Sequence, residues 1–314
     1  GARKTDDDSG CVNVTVGRRE GRVEWKARRD DLPFDESEGA PWLLLPREAR
    51  LAFERVRAAG SPLTSLLGAP RLGVKSGCNS AFVVRVESVA RGLASILDAN
   101  GERGSVEETL LRPALRGDAV VPWRREPADE HLIWTHDERG ALPKLPPRAR
   151  DWLGRSYTVL ALRSDAKGSG RWWSLFRTEA ADSTRSRVVW ADFGRSPRAL
   201  VLAEGDPAVP LNSCYVVHCR NPLHANTLCA ILNSAIVAAW INSLAEPARG
   251  GYRRYLGWTM GLLPLPRDWD RAVSLLGGEG TRRLSTGDLN AEALRPYDLP
   301  VRDVSALLEW DRCD

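Results

Sequence analysis

The stretch Arg71-Leu-Gly-Val-Lys-Ser-Gly-Cys-Asn-Ser-Ala-Phe-Val-Val-Arg-Val86 constrains the chain most. Gly73 and Gly77 bracket a Lys-Ser pair, and a β-prone run, Phe82 to Val86, follows at once. Two glycines four apart permit positive φ and close approach of another backbone or molecule. Lys75, Ser76 and Asn79 then place one charge and several hydrogen-bonding groups on the loop. Such a loop suits a phosphate or a base edge better than a packed core. Its plain alternative is a glycine turn that opens a strand.

The company of this loop tilts the balance. The 314 residues hold one large or two ordinary domains and can bury a sizeable core. Twelve Trp stand against five Phe and five Tyr, and only five of the 45 basic residues are Lys. Arg and Trp are the side chains expected where planar groups are stacked or forked. The net charge of +4 is uneven: residues 139–198 carry 13 basic against 5 acidic side chains, and residues 264–314 carry 7 against 10. A basic middle in a near-neutral chain is a footprint for a polyanion, with solvated surface charge as the alternative. Six irregularly spaced Cys and no signal peptide point to reduced thiols in the cytoplasm.

Along the chain, Val12–Val16 and Arg22–Trp25 alternate around a turn and read as a hairpin. Pro46 to Ala59 carries apolar residues at helical spacing. His131–Thr135 and Asn212–His218 read as strands, and Arg148–Leu162 as a helix burying Trp152, Tyr157 and Leu160. Leu223 to Leu244 reads as one apolar helix; Asn233, Ser234 and Asn242 make it a core helix rather than a membrane span. The fold class is therefore α+β: mixed antiparallel strands with packed helices. The composition divides into an N-terminal segment 1–41, a central domain 42–267 and an acidic C-terminal tail 268–314.

Catalytic constellations are missing. There is no Gly-x-Ser-x-Gly, His-Glu-x-x-His, P-loop or strand-linked dinucleotide fingerprint. Asp192-Phe-Gly194 matches a kinase magnesium motif, but the other kinase motifs are absent. Cys214, His218, Cys219, His224 and Cys229 lack the paired spacing of a zinc site, so no metal is expected. No catalytic residue can be assigned.

Four segments in order carry a resemblance: Gly73-Val-Lys75-Ser-Gly77-Cys-Asn79-Ser-Ala-Phe82, Arg112-Pro113-Ala-Leu115-Arg116-Gly117-Asp118, Ile231-Leu-Asn233-Ser234 and Leu263-Pro-Leu-Pro266. The chain resembles the C-terminal target-recognition region of TaqI-like and type IIG adenine-N6 DNA methyltransferases, roughly from Trp42 to Pro266. Ser76 stands where that family usually has Thr, which keeps the hydroxyl. The family's Asn/Asp-Pro-Pro-Tyr/Phe motif and its Gly-rich S-adenosylmethionine site have no counterpart; Asn221-Pro222 continues as Leu223-His224.

The resemblance implies a reader of double-stranded DNA in restriction–modification or phage defence, working with a methyltransferase catalytic domain or subunit that binds S-adenosylmethionine. The N-terminal hairpin would then be the trailing edge of such a catalytic domain. A stand-alone specificity subunit acting with a separate catalytic chain is the alternative. Lys167, Arg171, Arg177, Arg185 and Arg187 of the basic middle are the expected phosphate contacts, with Arg253 and Arg254 as further backbone contacts and Arg116 as a further DNA-binding residue. Lys75, Ser76 and Asn79 are the expected base-edge or phosphate contacts.

Overall fold

A computed structural model describes residues 2–4, 10–18, 21–166 and 170–312. It bears out the α+β class, with helices packed on mostly antiparallel ladders. By contacts the chain divides otherwise than at residues 41 and 267. One unit comprises residues 1–70, 193–198 and 221–314, and the other comprises residues 71–192 and 199–220.

The first unit begins with the expected hairpin. Cys11–Arg18 pairs with Gly21–Arg28, Val14 opposite Trp25, and Ala2–Lys4 adds a third strand. Alternation puts Val12 and Val14 inside against Leu32, with Trp25, Ala27 and Leu44 around them. The helix Arg47–Ala58 matches the reading from spacing and buries Ala49, Ala52, Phe53 and Val56. Phe53 stacks on Trp240 (centroids 4.6 Å apart, planes 7° apart), and Phe34 meets both edge-on.

The expected single helix over 223–244 is two, Pro222–Leu232 and Ala235–Asn242, bent by 64°. Asn233 and Ser234 make the break. The Ser234 hydroxyl donates to the Ile231 carbonyl (2.7 Å), and the Ala235 amide donates to the Asn290 side-chain oxygen (2.7 Å). Among the described residues no single helix is long and apolar enough to cross a membrane. Residues 268–312 are helical and packed, over Trp269–Leu276, Thr286–Leu294 and Ser305–Arg312, and bury Leu276, Leu294 and Leu307.

In the second unit a six-stranded sheet runs Val209–Pro210, Leu111–Leu115, Glu130–Ile133, Val83–Ala90, Leu93–Leu97, Arg103–Glu107. Every ladder in it is antiparallel except that of Val209–Pro210 along Leu111–Leu115. A four-stranded antiparallel sheet runs Ala199–Leu202, Arg187–Ala191, Cys214–His218, Arg71–Leu72. All five residues of Arg187–Ala191 are buried, as expected of a central strand covered on both faces.

The helix expected over 148–162 is Pro147–Gly154 followed by Tyr157–Ala161. Trp152 and Leu160 are buried there, but Tyr157 is exposed. The Trp152 indole N–H donates to the Ala81 carbonyl (2.9 Å), tying the first of these helices to the turn Asn79–Phe82 that ends the glycine loop.

Candidate nucleic-acid interface

The loop between the glycines is held by its backbone on two sides. The Gly73 amide donates to the Cys214 carbonyl (2.9 Å) and the Val74 amide to the Pro210 carbonyl (2.8 Å). Lys75 and Phe176 exchange both backbone bonds (2.9 and 3.0 Å). Gly73 is required by space, because a Cβ there would lie 2.0 Å from the Leu211 carbonyl oxygen. Gly77 is required by conformation, with φ of +70°, and a Cβ would lie 2.5 Å from Cδ of Arg163.

Arg163 is the residue that sequence reasoning missed. Its guanidinium donates to the carbonyls of Ser76, Trp172 (2.7 Å) and Ser174 (3.0 Å), and its Nε donates to Leu160 (3.0 Å). It also lies over the rings of Phe176 (5.1 Å) and Phe82 (6.0 Å). One planar cation thus binds the glycine loop to the Trp172–Phe176 segment. An arginine in a basic, aromatic stretch gives no local signal that it turns inward.

The pinned loop sorts the expected site residues. Lys75 is exposed, and its bridge to Phe176 sets it beside the backbone of exposed Arg177, which has φ of +55°. Arg71, also exposed, lies 3.9 Å from the Glu179 carboxylate. Ser76 corrects an expectation. It is only 2% exposed, its hydroxyl donates to the Asn79 side-chain oxygen (2.6 Å) and accepts from the Cys78 amide (3.2 Å), and so it shapes the loop from inside. Asn79 remains half-buried at the loop's end.

Arg187 is a second correction. It is fully buried, with hydrogen bonds to the carbonyls of Asp206 (2.6 Å), Ala208 (3.0 Å) and Ala180 (3.4 Å), and burial lowers its pKa. No phosphate can reach it. Arg116 is half-buried in a two-point pair with Glu130, one contact at 3.1 Å, and Arg171 donates to the Ala141 carbonyl (2.7 Å). Arg185 is exposed. Lys167 lies outside the described residues. Arg253 and Arg254 belong to the other unit, on the strand Tyr252–Arg254.

A groove in the second unit went unnoticed in the sequence. A cavity of about 1000 Å³ is lined by Arg112, Trp134, His136, Arg139, Glu179 and Asp182, among others. The Arg112 guanidinium lies 4.1 Å from the Trp134 ring centroid, and burial lowers its pKa. Among the described residues it has no carboxylate partner. Burial, with some help from the Arg112 and Arg171 charges, pushes the His136 pKa down to about 4 against the pull of Asp137.

No protein-family profile and no curated protein matches this chain. Comparison with solved structures does find relatives of shape. The fold is like that of a restriction–modification enzyme. The type IIL restriction–modification enzyme MmeI, determined in complex with DNA, superposes with a TM-score of 0.55 at 11% identity over 98% of this chain. The type IIG restriction endonuclease BpuSI gives 0.49 at 13% identity over 94% of this chain and 35% of its own. The chain spans 41% of the length of MmeI.

Proposed function

We propose that this chain is a DNA target-recognition module of an adenine-N6 methyltransferase in a restriction–modification or phage-defence system. The observation that carries it is the pinned loop: Lys75 stands exposed beside Arg177 on a backbone fixed by Gly73, Gly77 and Arg163. Rigid presentation of a cation is what a phosphate contact needs if it is to set register on a duplex. The likeness to MmeI, a restriction–modification enzyme seen with DNA, supports the same reading.

Methyl transfer to adenine N6 requires the base outside the stack. The residues here supply grip and register for that step. The transfer itself is assigned to a catalytic domain or subunit that holds S-adenosylmethionine. The Asn-Pro of this chain does not fit the family's Asn/Asp-Pro-Pro-Tyr/Phe motif. Asn221 heads its one Asn-Pro, and the Asn221 side-chain oxygen is used in capping the helix Pro222–Leu232, accepting from the His224 amide (3.1 Å). The setting proposed is the cytoplasm, in keeping with reduced thiols at Cys78, Cys214 and Cys219.

The test is duplex binding by fluorescence anisotropy between 50 and 250 mM salt. The expected result is log K falling linearly with log salt, by about 0.9 for each phosphate neutralised. Affinity that stays flat over that range would overturn the reading.

A further inference from the structure

Phe193-Gly194 of the Asp-Phe-Gly triplet and the run Gly250-Gly-Tyr-Arg-Arg254 come together in the first unit. Phe193–Gly194 pairs with Tyr252–Arg254, which pairs in turn with Glu246–Ala248, giving a three-stranded antiparallel ribbon. The turn Arg249-Gly-Gly251 closes its hairpin, with φ of +80° at Gly250 and +76° at Gly251.

The register places Phe193 opposite Arg254 and so diagonal to Tyr252, two residues back along that strand. The two rings stack with centroids 4.8 Å apart and planes 6° apart. Both are open to solvent, Phe193 at 44% and Tyr252 at 37%. The Arg195 guanidinium lies 5.4 Å from the Tyr252 centroid and extends the stack with a planar cation. A ring pair that packs face to face and still exposes this much area belongs to no core.

The charge around the rings says what covers them. Residues 193–198 and 246–254 hold Arg195, Arg198, Arg249, Arg253 and Arg254 against a single Glu246. Those fifteen residues carry a net +4, as much as the whole chain. Arg195, Arg249 and Arg254 are exposed. An apolar protein partner would have to bury these guanidinium groups, at a large desolvation cost. A nucleobase with its own phosphates brings a π-face for the rings and anions for the arginines in one ligand.

We propose that this ribbon is a stacking platform for an unpaired nucleobase, with Arg195, Arg249 and Arg254 on the flanking phosphates. The inference rests on the nucleic-acid reading above and adds the ligand: a single-stranded or locally opened segment rather than an intact duplex.

The experiment compares, on the whole chain, a fifteen-residue oligothymidylate with an abasic backbone of the same length, by anisotropy at one salt concentration. The wild type is expected to bind the thymidylate roughly five- to a hundredfold more tightly, the range of base–aromatic stacking. Phe193→Ala and Tyr252→Ala should bring that ratio close to one and leave abasic binding unchanged. Phe193→Leu, which keeps apolar volume in the ribbon, should lower the ratio in the same direction and stands in if the alanine variant fails to fold. Arg249→Ala should weaken both ligands equally and reduce the salt slope by about 0.7, the value for one phosphate of a single strand.

A wild-type ratio near one, or a ratio that survives both aromatic substitutions, overturns the platform. If a salt-dependent duplex complex persists alongside such a result, only this inference falls. If neither duplex nor single strand is bound at low salt, both readings fall. Binding to phosphatidylserine-containing vesicles that depends on Phe193 and Tyr252, without oligonucleotide binding, would assign the ribbon to a membrane surface and overturn the proposal.

Discussion

Gly73 and Gly77 separate two demands on the same loop, and substitution by alanine tells them apart. At Gly77 a side chain meets a positive φ, costing about 1–2 kcal/mol, plus a shift of Arg163. At Gly73 the obstacle is the Leu211 carbonyl, which belongs to a backbone that already receives Val74 at Pro210 and cannot step aside. Gly73→Ala is therefore expected to lower stability by about 3 kcal/mol, at the upper end of overpacking costs, and more than Gly77→Ala. Urea unfolding of both variants checks the order; equal losses would contradict it.

His136 gives a pH signature at the same scale. Its folded pKa, about 4, lies below the ordinary value of 6.5, so between those limits the unfolded chain binds the additional proton. Stability contributed by neutral His136 is full above pH 6.5 and is lost as pH falls toward 4. Thermal midpoints should decline over that window in the wild type and decline less in His136→Asn, most clearly above pH 5, before carboxylates titrate.

Among elements, local pattern was legible wherever one face of one element decided the matter. The alternation Val12–Val16 with Trp25 gave the hairpin, and the apolar spacing of Ala49, Ala52, Phe53 and Val56 gave the helix Arg47–Ala58. Pattern failed where a distant residue intervened. The apolar run 223–244 has no proline inside to break it, and its bend depends on Asn290, which receives the Ala235 amide from 55 residues away. Likewise the order of the six-stranded sheet is set by long-range ladders that no single segment announces.

The side chain of Ser234 does not cap the helix Ala235–Asn242, so the Asn290 oxygen takes that role. Asn290→Ala is expected to cost about 1 kcal/mol, the value of a lost N-cap, read from the urea midpoint at constant m. A neutral result would mean that the bend stands on Asn233 and Ser234 alone.

For the whole molecule, arginine serves two masters, and composition does not separate them. The basic block 139–198 looked like one electrostatic footprint, yet Arg163 and Arg187 face inward and hold carbonyls, while Arg177 and Arg185 face water. The segment Arg185-Ser-Arg187 shows why the sequence hides this. Two arginines two apart should share a strand face, but the strand starting at Arg187 is buried on both faces, and only Arg185 lies outside it.

Stability and salt dependence should therefore respond to different arginines. Arg187→Met removes the donor to three carbonyls and is expected to cost about 2–4 kcal/mol, because buried acceptors lose their partner. Where the variant is still folded, its salt slope for duplex binding should equal that of the wild type. Lys75→Ala and Arg177→Ala should do the reverse, each lowering the slope by about 1 while shifting stability by less than about 0.5 kcal/mol. Anisotropy across a salt series, paired with urea melts of the same proteins, sets the two quantities side by side. A slope that drops in folded Arg187→Met, or stays fixed in both surface variants, would move the duplex away from the Lys75–Arg177 surface.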